Sequence, residues 1–148
     1  MTETLYKALA AGRKSPYGLG VWMPGRWRTV KGTLAPCQRG IHYCRPDQLV
    51  GWLHAEVWTF EDGAPDDHID AGDKMVTRRG RILERSEAWD ERTARLFAAD
   101  CAEHVLHLFE RERPDDDRPR LAIAAARAFA RGEIDSAVRS AACSAADS

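Results

Sequence analysis

The sequence predicts an α+β protein: a small, mostly antiparallel sheet with one short helix, followed by a C-terminal helical hairpin and a third helix docked on it. The prediction rests on a shift of composition along the chain. Residues 1–85 hold four of the five Trp, all three Tyr and most of the Gly and β-branched residues, whereas residues 86–148 are rich in Ala, Arg, Glu and Asp. Aromatic and β-branched residues suit strands, and Ala-rich stretches with few glycines suit helices. The expected division is therefore a β-rich part over 1–85 and an α-helical part over 86–148.

The first half reads as short strands separated by turn residues. Leu5-Tyr6-Lys7-Ala8-Leu9 alternates apolar and polar and predicts a first strand. Residues 12–18, with Ser15-Pro16, form a turn, and Val21-Trp22-Met23 is a short apolar run stopped by Pro24-Gly25. Trp27 to Val30 predicts a second strand and Lys31-Gly32 a tight turn. Gly40 to Cys44 reads as extended, with Ile41 and Tyr43 on one face and His42 and Cys44 on the other. Pro46 opens a helix to about Leu53, because Pro is tolerated in a first turn. Ala55 to Phe60 is a strand, residues 61–73 a loop rich in Asp, Gly and Pro, and residues 74–84 a further strand with Gly80 at a bulge or turn. Trp58, Val57, Ile41, Tyr43, Leu49 and Leu53 are expected to share one core.

The second half reads as three helices. From about Trp89 to Arg111, the apolar residues Trp89, Phe97, Cys101, Val105 and Leu108 fall on one face at 100° per residue, a stripe expected to be buried. A charged connector, Arg113 to Pro119, leads to a second helix over 121–131, with Asp117 as its cap and Gly132 as its stop. Asp135 caps a third, Ala-rich helix.

At 148 residues, with 44% apolar residues and twelve aromatics, the chain can bury the core of one domain or of one domain with an appendage. The formal net charge of -1 argues against a broad basic face, so nucleic acid is not an expected partner. No window approaches the roughly 18 apolar residues of a membrane span. The polar opening Met1-Thr2-Glu3-Thr4 has no apolar run of a secretory signal. The expectation is a cytoplasmic protein whose four cysteines, Cys37, Cys44, Cys101 and Cys143, are reduced.

Reactive side chains are dense only in Cys37-Gln38-Arg39-Gly40-Ile41-His42-Tyr43-Cys44-Arg45-Pro46. Cys37, His42 and Cys44 are donors suited to zinc, with a fourth from His68 or His54. The spacing is not a standard zinc pattern, and the competing reading is a turn in which His42 bonds nearby backbone while the cysteines pack as small apolar groups. A thiol of Cys37 or Cys44 activated by His42 is a second chemistry, without an orienting third group in the sequence. On the long helix, Asp100, Cys101 and His104 have a spacing that suits a metal, against a core histidine satisfied by a nearby acceptor, and His107 lies near the helix edge. Asp115-Asp116-Asp117 reads as a solvated, capping loop and Arg78-Arg79-Gly80-Arg81 as a solvent-facing basic strand beside Glu84 and Glu87.

Three resemblances join this reading. The set Cys37, Gly40-Ile41-His42, Cys44 and Pro46, with Glu56-Val57-Trp58 and Gly72 to Val76, resembles the hallmark of an uncharacterised domain found in phage and bacterial proteins, over residues 5 to about 85. The run Ala99-Asp100-Cys101-Ala102-Glu103-His104-Val105-Leu106, with Pro114 to Pro119 and Ala124 to Gly132, resembles a helical segment of bacterial immunity proteins. These imply an accessory gene of a phage, prophage or bacterium and a protein acting in phage–host or toxin–immunity conflict. The strand Leu5–Leu9, the Gly-apolar-His-Tyr strand and the strand at 55–60 resemble the split sheet of ADP-ribosyltransferases. That likeness implies NAD as cosubstrate, His42, Tyr43 and Tyr6 beside the nicotinamide, and Glu56 or Glu84 as the catalytic carboxylate. Lys7 stands where that family carries Arg or His.

The sequence therefore favours a non-enzymatic binding or regulatory protein that needs no cofactor and takes another protein as partner. An NAD-using ADP-ribosyltransferase and a small zinc-binding module are the alternatives. A deep cleft lined by His42, Tyr6 and a Glu would mark the enzyme.

Overall fold

The computed structural model describes residues 3–18 and 20–146. They form two compact units, residues 1–89 and 90–148. Strands fill the first unit and three helices the second, giving the α+β class.

The first unit contains two antiparallel sheets. One has four strands in the order β1-β4-β7-β2: β1 is Leu5–Leu9, β4 is Glu56–Asp62, β7 is Arg79–Arg85 and β2 is only Arg28–Thr29. The other has three in the order β3-β6-β5: Ile41–Tyr43, Met75–Thr77 and His68–Asp70. The strand expected over 74–84, with a bulge or turn at Gly80, is two strands broken at Arg78, and they belong to different sheets. The chain changes partners at Arg78, whose side chain donates to the carbonyls of Val30 and Gly32 and pairs with Asp67. These bonds hold the chain at the switch point. The expected loop over 61–73 contains β5, because the edge of β6 offers backbone groups that Ile69 and its neighbours satisfy.

The sheets meet along β1 and β3. Tyr6 and Cys44 exchange both backbone hydrogen bonds at 2.8 Å, so the second sheet continues the edge of the first. The core between them is Leu9, Trp22, Ile41, Tyr43, Trp58, Phe60, Met75 and Ile82, with Leu5 and Val30 packed beside it. Phe60 is its centre. Tyr43 stacks on it at 4.8 Å between centroids, and Trp22 meets it edge-on at 6.5 Å. Such pairs add stabilisation beyond their buried area. Gly80 makes room for that ring: a Cβ there would lie 2.0 Å from the tip of Phe60.

The helix expected from Pro46 is a 3₁₀ turn, Leu49–Trp52, and no residue within it is buried. Leu49 and Leu53, expected in the core, are only half-buried; Gln48 is buried instead. Gln48 accepts from the backbone N–H of Arg45 and donates to the Gly72 carbonyl, so polar bonds hold this segment down.

In the second unit, α1 spans Glu91–Glu112, α2 Arg118–Ala130 and α3 Ser136–Ala146. Asp90 caps α1 by accepting from Thr93 N–H at 2.7 Å, and Asp135 caps α3 by accepting from Val138 N–H at 2.9 Å. Asp117 makes no side-chain cap; Asp116 takes that part, accepting from the N–H and guanidinium of Arg118. That pairing pulls the Asp116 carboxyl down to about 2. Gly132 ends α2 in the left-handed conformation, φ 76°. The stripe expected to be buried on α1 points outward: Phe97, Cys101, Val105 and Leu108 are exposed, while Ala99 and Leu106 are buried. The reason is that α2 packs along the other side of α1, where Arg127 reaches both Asp100 and Glu103 and Arg120 reaches Glu110.

Candidate functional site

The Cys37–Pro46 stretch folds as a tight turn feeding β3. Ala35 and Arg39 exchange backbone hydrogen bonds at 2.8 Å, and Cys37 at the tip has φ 63°, rare for a residue with a side chain. Gly40 follows at φ 142°, and a Cβ there would lie 2.3 Å from a methyl of Val76, so only glycine fits. The turn sends the Cys37 N–H onto His42 Nε2 at 3.0 Å. The imidazole thus accepts at Nε2. Its pKa is lowered by burial, then by the cations of Lys7 and Lys74, which favours the neutral ring that this bond requires.

Behind β3 lie two buried lysines. Lys7 is on β1 with the parity of Leu9, 6% exposed, and donates to the His42 carbonyl while lying 4.8 Å over the Trp22 ring. Burial, partly offset by the neighbouring Cys44 and reinforced by Arg28, lowers its pKa to about 8. Lys74 is 7% exposed, pairs with Asp73 at 3.1 Å and lies 4.6 Å over the Trp52 ring. Burial opposes its charge, but hydrogen bonding to Asp73 and then Cys37 raises its pKa on balance. Trp52 Nε1 donates to the Asp73 carbonyl at 2.8 Å and fixes that wall. Cys44 is buried, and its thiol is pushed up to about 11 by burial, so it stays protonated.

The structure gathers Cys37, His42, Cys44, Lys74 and Asp73, and brings the Lys7 ammonium to the His42 carbonyl. Other predicted residues stand elsewhere. Tyr43 is in the core; its hydroxyl donates to Asp62 at 2.9 Å, and burial followed by that bond raises its pKa. Glu56 is buried, accepting from Trp58 Nε1 and from Gly12 N–H, both at 2.8 Å. Burial works against its charge, but those bonds lower its pKa overall. Glu84 is exposed on β7 and Tyr6 half-buried on β1. His68 lies 3.8 Å from Asp62, and His54 turns its Nδ1 onto the N–H of Ala55. Among the described residues, no three His, Cys, Asp or Glu side chains gather as a metal site would need. An open hollow of about 570 Å³ is lined by Gly32, Thr33, Leu34, Asp67, Ile69 and Arg78, none of them among the predicted site residues.

In the helical unit, His104 is exposed, not a core histidine, and its carbonyl lies 3.1 Å from His107 Nδ1. Asp100 is taken by Arg127. The Cys143 side chain lies outside the described residues. Within the basic strand, Arg78 pairs with Asp67, Arg81 with Glu61, and Arg79 lies 4.4 Å over Trp27.

Sequence reasoning missed Lys74, Asp73 and Trp52. Lys7 carried a usable signal, because it shares strand parity with Leu5 and Leu9 and must face inward with them. Lys74 carried none, since its burial depends on Trp52 and Asp73 folding over it.

Residues 84–147 match a family model described as "Imm-5 like putative immunity protein". The match begins at the end of β7 and takes in all three helices. Neither the curated proteins nor the solved structures contain a match to the chain. Among the described residues, no helix is long and apolar enough to cross a membrane.

Proposed function

We propose that this is a non-enzymatic immunity-type protein that acts by binding a toxic protein partner, with residues 84–147 as the binding part. The observation that carries this reading is the family match over those residues. The surface of that unit supports it. Phe97, Val105 and Leu108 on α1, Leu121 on α2 and Val138 on α3 are exposed apolar side chains, and surfaces of this kind are commonly covered by partners. The resemblance of residues 5–85 to a phage and bacterial domain adds an accessory-gene origin. An NAD-using reading draws no support from the geometry: Tyr43 and Glu56 are engaged inside the core. The test mixes the purified full chain with the product of the gene adjacent to its own. A stoichiometric complex by light scattering, together with rescue of growth when that product is expressed, is the expected result. Absence of both the complex and the rescue overturns the proposal.

A further inference from the structure

The hollow of about 570 Å³ in the first unit lies between two stretches of chain. Gly32, Thr33 and Leu34 line it on one, Asp67 and Ile69 on the other. Arg78 joins them, because its guanidinium donates to the Gly32 carbonyl at 2.7 Å and pairs with Asp67. With a further bond to the Val30 carbonyl, these contacts use Nε and Nη1 and hold the guanidinium plane still. An arginine has five N–H donors in a rigid fork, and among the described residues the two on Nη2 have no partner. Asp67 gives Oδ2 to Arg78, and among the described residues its Oδ1 accepts no hydrogen bond and the Thr33 hydroxyl makes none. Arg39 adds a second cation. A Cβ on Gly32 would lie 2.7 Å from its Nη1, so this guanidinium rests against a lining residue, and among the described residues it has no carboxylate partner.

These groups define what fits. Two guanidiniums and one carboxylate leave a net positive charge, so the complementary occupant is net negative. It also carries a positive group, since a plain anion sets its charge against Asp67 and offers Oδ1 no donor. Leu34 and Ile69 give apolar contact to a short hydrocarbon segment between the charges. Two carboxylates and one ammonium on a short carbon chain meet all three requirements. We propose that this hollow is a binding site for an acidic α-amino acid of the glutamate type. The α-carboxylate accepts from Arg78 Nη2 and the Thr33 hydroxyl, and the α-ammonium donates to Asp67 Oδ1. The methylenes lie on Leu34 and Ile69, and the side-chain carboxylate meets Arg39. Because the hollow is open and water competes for every contact, the affinity is in the millimolar range. This site lies outside the residues of the immunity-type match and does not depend on that reading.

The experiment follows amide proton–nitrogen correlation spectra of the full-length protein during titration with sodium L-glutamate, at neutral pH and constant ionic strength. The amides of residues 32–34 and 67–69 should shift, with half-saturation at about 1–10 mM. Glutarate lacks the ammonium and L-glutamine lacks the second carboxylate. Each should bind at least about tenfold more weakly, the effect of losing one charge-assisted contact. Asp67→Asn should weaken glutamate by a similar factor and tighten glutarate, and Arg39→Gln should erase the preference for glutamate over glutamine. Equal affinities for the three ligands in the parent protein overturn the proposal, as do shifts that sodium chloride reproduces or the lack of any shift at about 100 mM glutamate. A folded Asp67→Asn protein that keeps the parent affinity for glutamate also overturns it. If a variant does not fold, the comparison of the three ligands on the parent protein decides alone.

Discussion

The Tyr43 hydroxyl donates to Asp62 Oδ2 at 2.9 Å, and through this bond one sheet is tied to the other. Asp62 ends β4 of the four-stranded sheet, while Tyr43 belongs to β3 of the three-stranded one. Its second oxygen accepts from Thr77 Oγ1 on β6 at 2.6 Å and from the Ala64 N–H at 2.9 Å. The side chain is only 7% exposed, so solvent cannot replace a lost donor.

Tyr43→Phe should therefore cost about 1–2 kcal/mol, the usual loss when a buried acceptor is left short of a donor. Asp62→Ala should cost more, about 3 kcal/mol, because it strands both the Tyr43 and Thr77 hydroxyls. Urea denaturation of the two variants measures both. An Asp62→Ala protein as stable as the parent would show that the Asp62 bonds add nothing to the join between the sheets.

The response to alkaline pH should have a maximum near pH 9. Lys7 has its pKa lowered from 10.5 to about 8, so above pH 8 the unfolded chain holds more protons than the folded one and stability rises with pH. Cys44 acts in the opposite sense. Its pKa is raised from 9.0 to about 11, so above pH 9 the unfolded chain loses a proton that the folded chain keeps, and stability falls. Tyr43, raised from 10.0, continues the fall. Denaturation midpoints across this range should rise and then drop. Lys7→Met should remove the rise and leave the drop, and a parent profile without any rise would mean that burial does not lower the Lys7 pKa.

Gly80→Ala should destabilise the first unit by about 1–3 kcal/mol, as overpacking of a core does. The added methyl meets the Phe60 ring, which is itself held by Trp22 and Tyr43 and has nowhere to move. Thermal melting followed by near-ultraviolet circular dichroism reports the change in those rings. Phe60→Leu should relieve the clash, so the double variant should be more stable than the sum of the single effects.

Trp58→Ala should cost about 3–5 kcal/mol, since it empties a large core position. It also leaves Glu56 without the indole donor that helps keep its buried carboxylate charged. A melting temperature unchanged by this substitution would remove Trp58 from the core.

Much of the fold was legible because it rests on local patterns. The Leu5–Leu9 alternation, the Gly40–Cys44 extension, the stop at Gly132 and the cap at Asp135 are set by neighbours in sequence. What escaped depends on distant partners. The break at Arg78 exists because Val30, Gly32 and Asp67 hold that side chain, and none of them is near it in sequence. The outward stripe on α1 was misread because periodicity reveals an apolar face but not which neighbour covers it; α2 chose the side of Ala99 and Leu106. In the site, the proximity of Cys37 and His42 was readable from their spacing. The arrival of Lys74 was not, because it requires the pairing of β3 with β6.

The brevity of β2 carries a consequence for crowding. A sheet that ends in two residues offers an arriving strand almost no unpaired backbone to extend. The chain on either side bends away at Pro24-Gly25 and Gly32, and Arg26 and Lys31 place like charges where two copies would have to meet edge to edge. The opposite edge, β1, is bridged at Tyr6 by Cys44. The folded sheet is therefore poorly suited to seeding cross-β growth from its β2 edge.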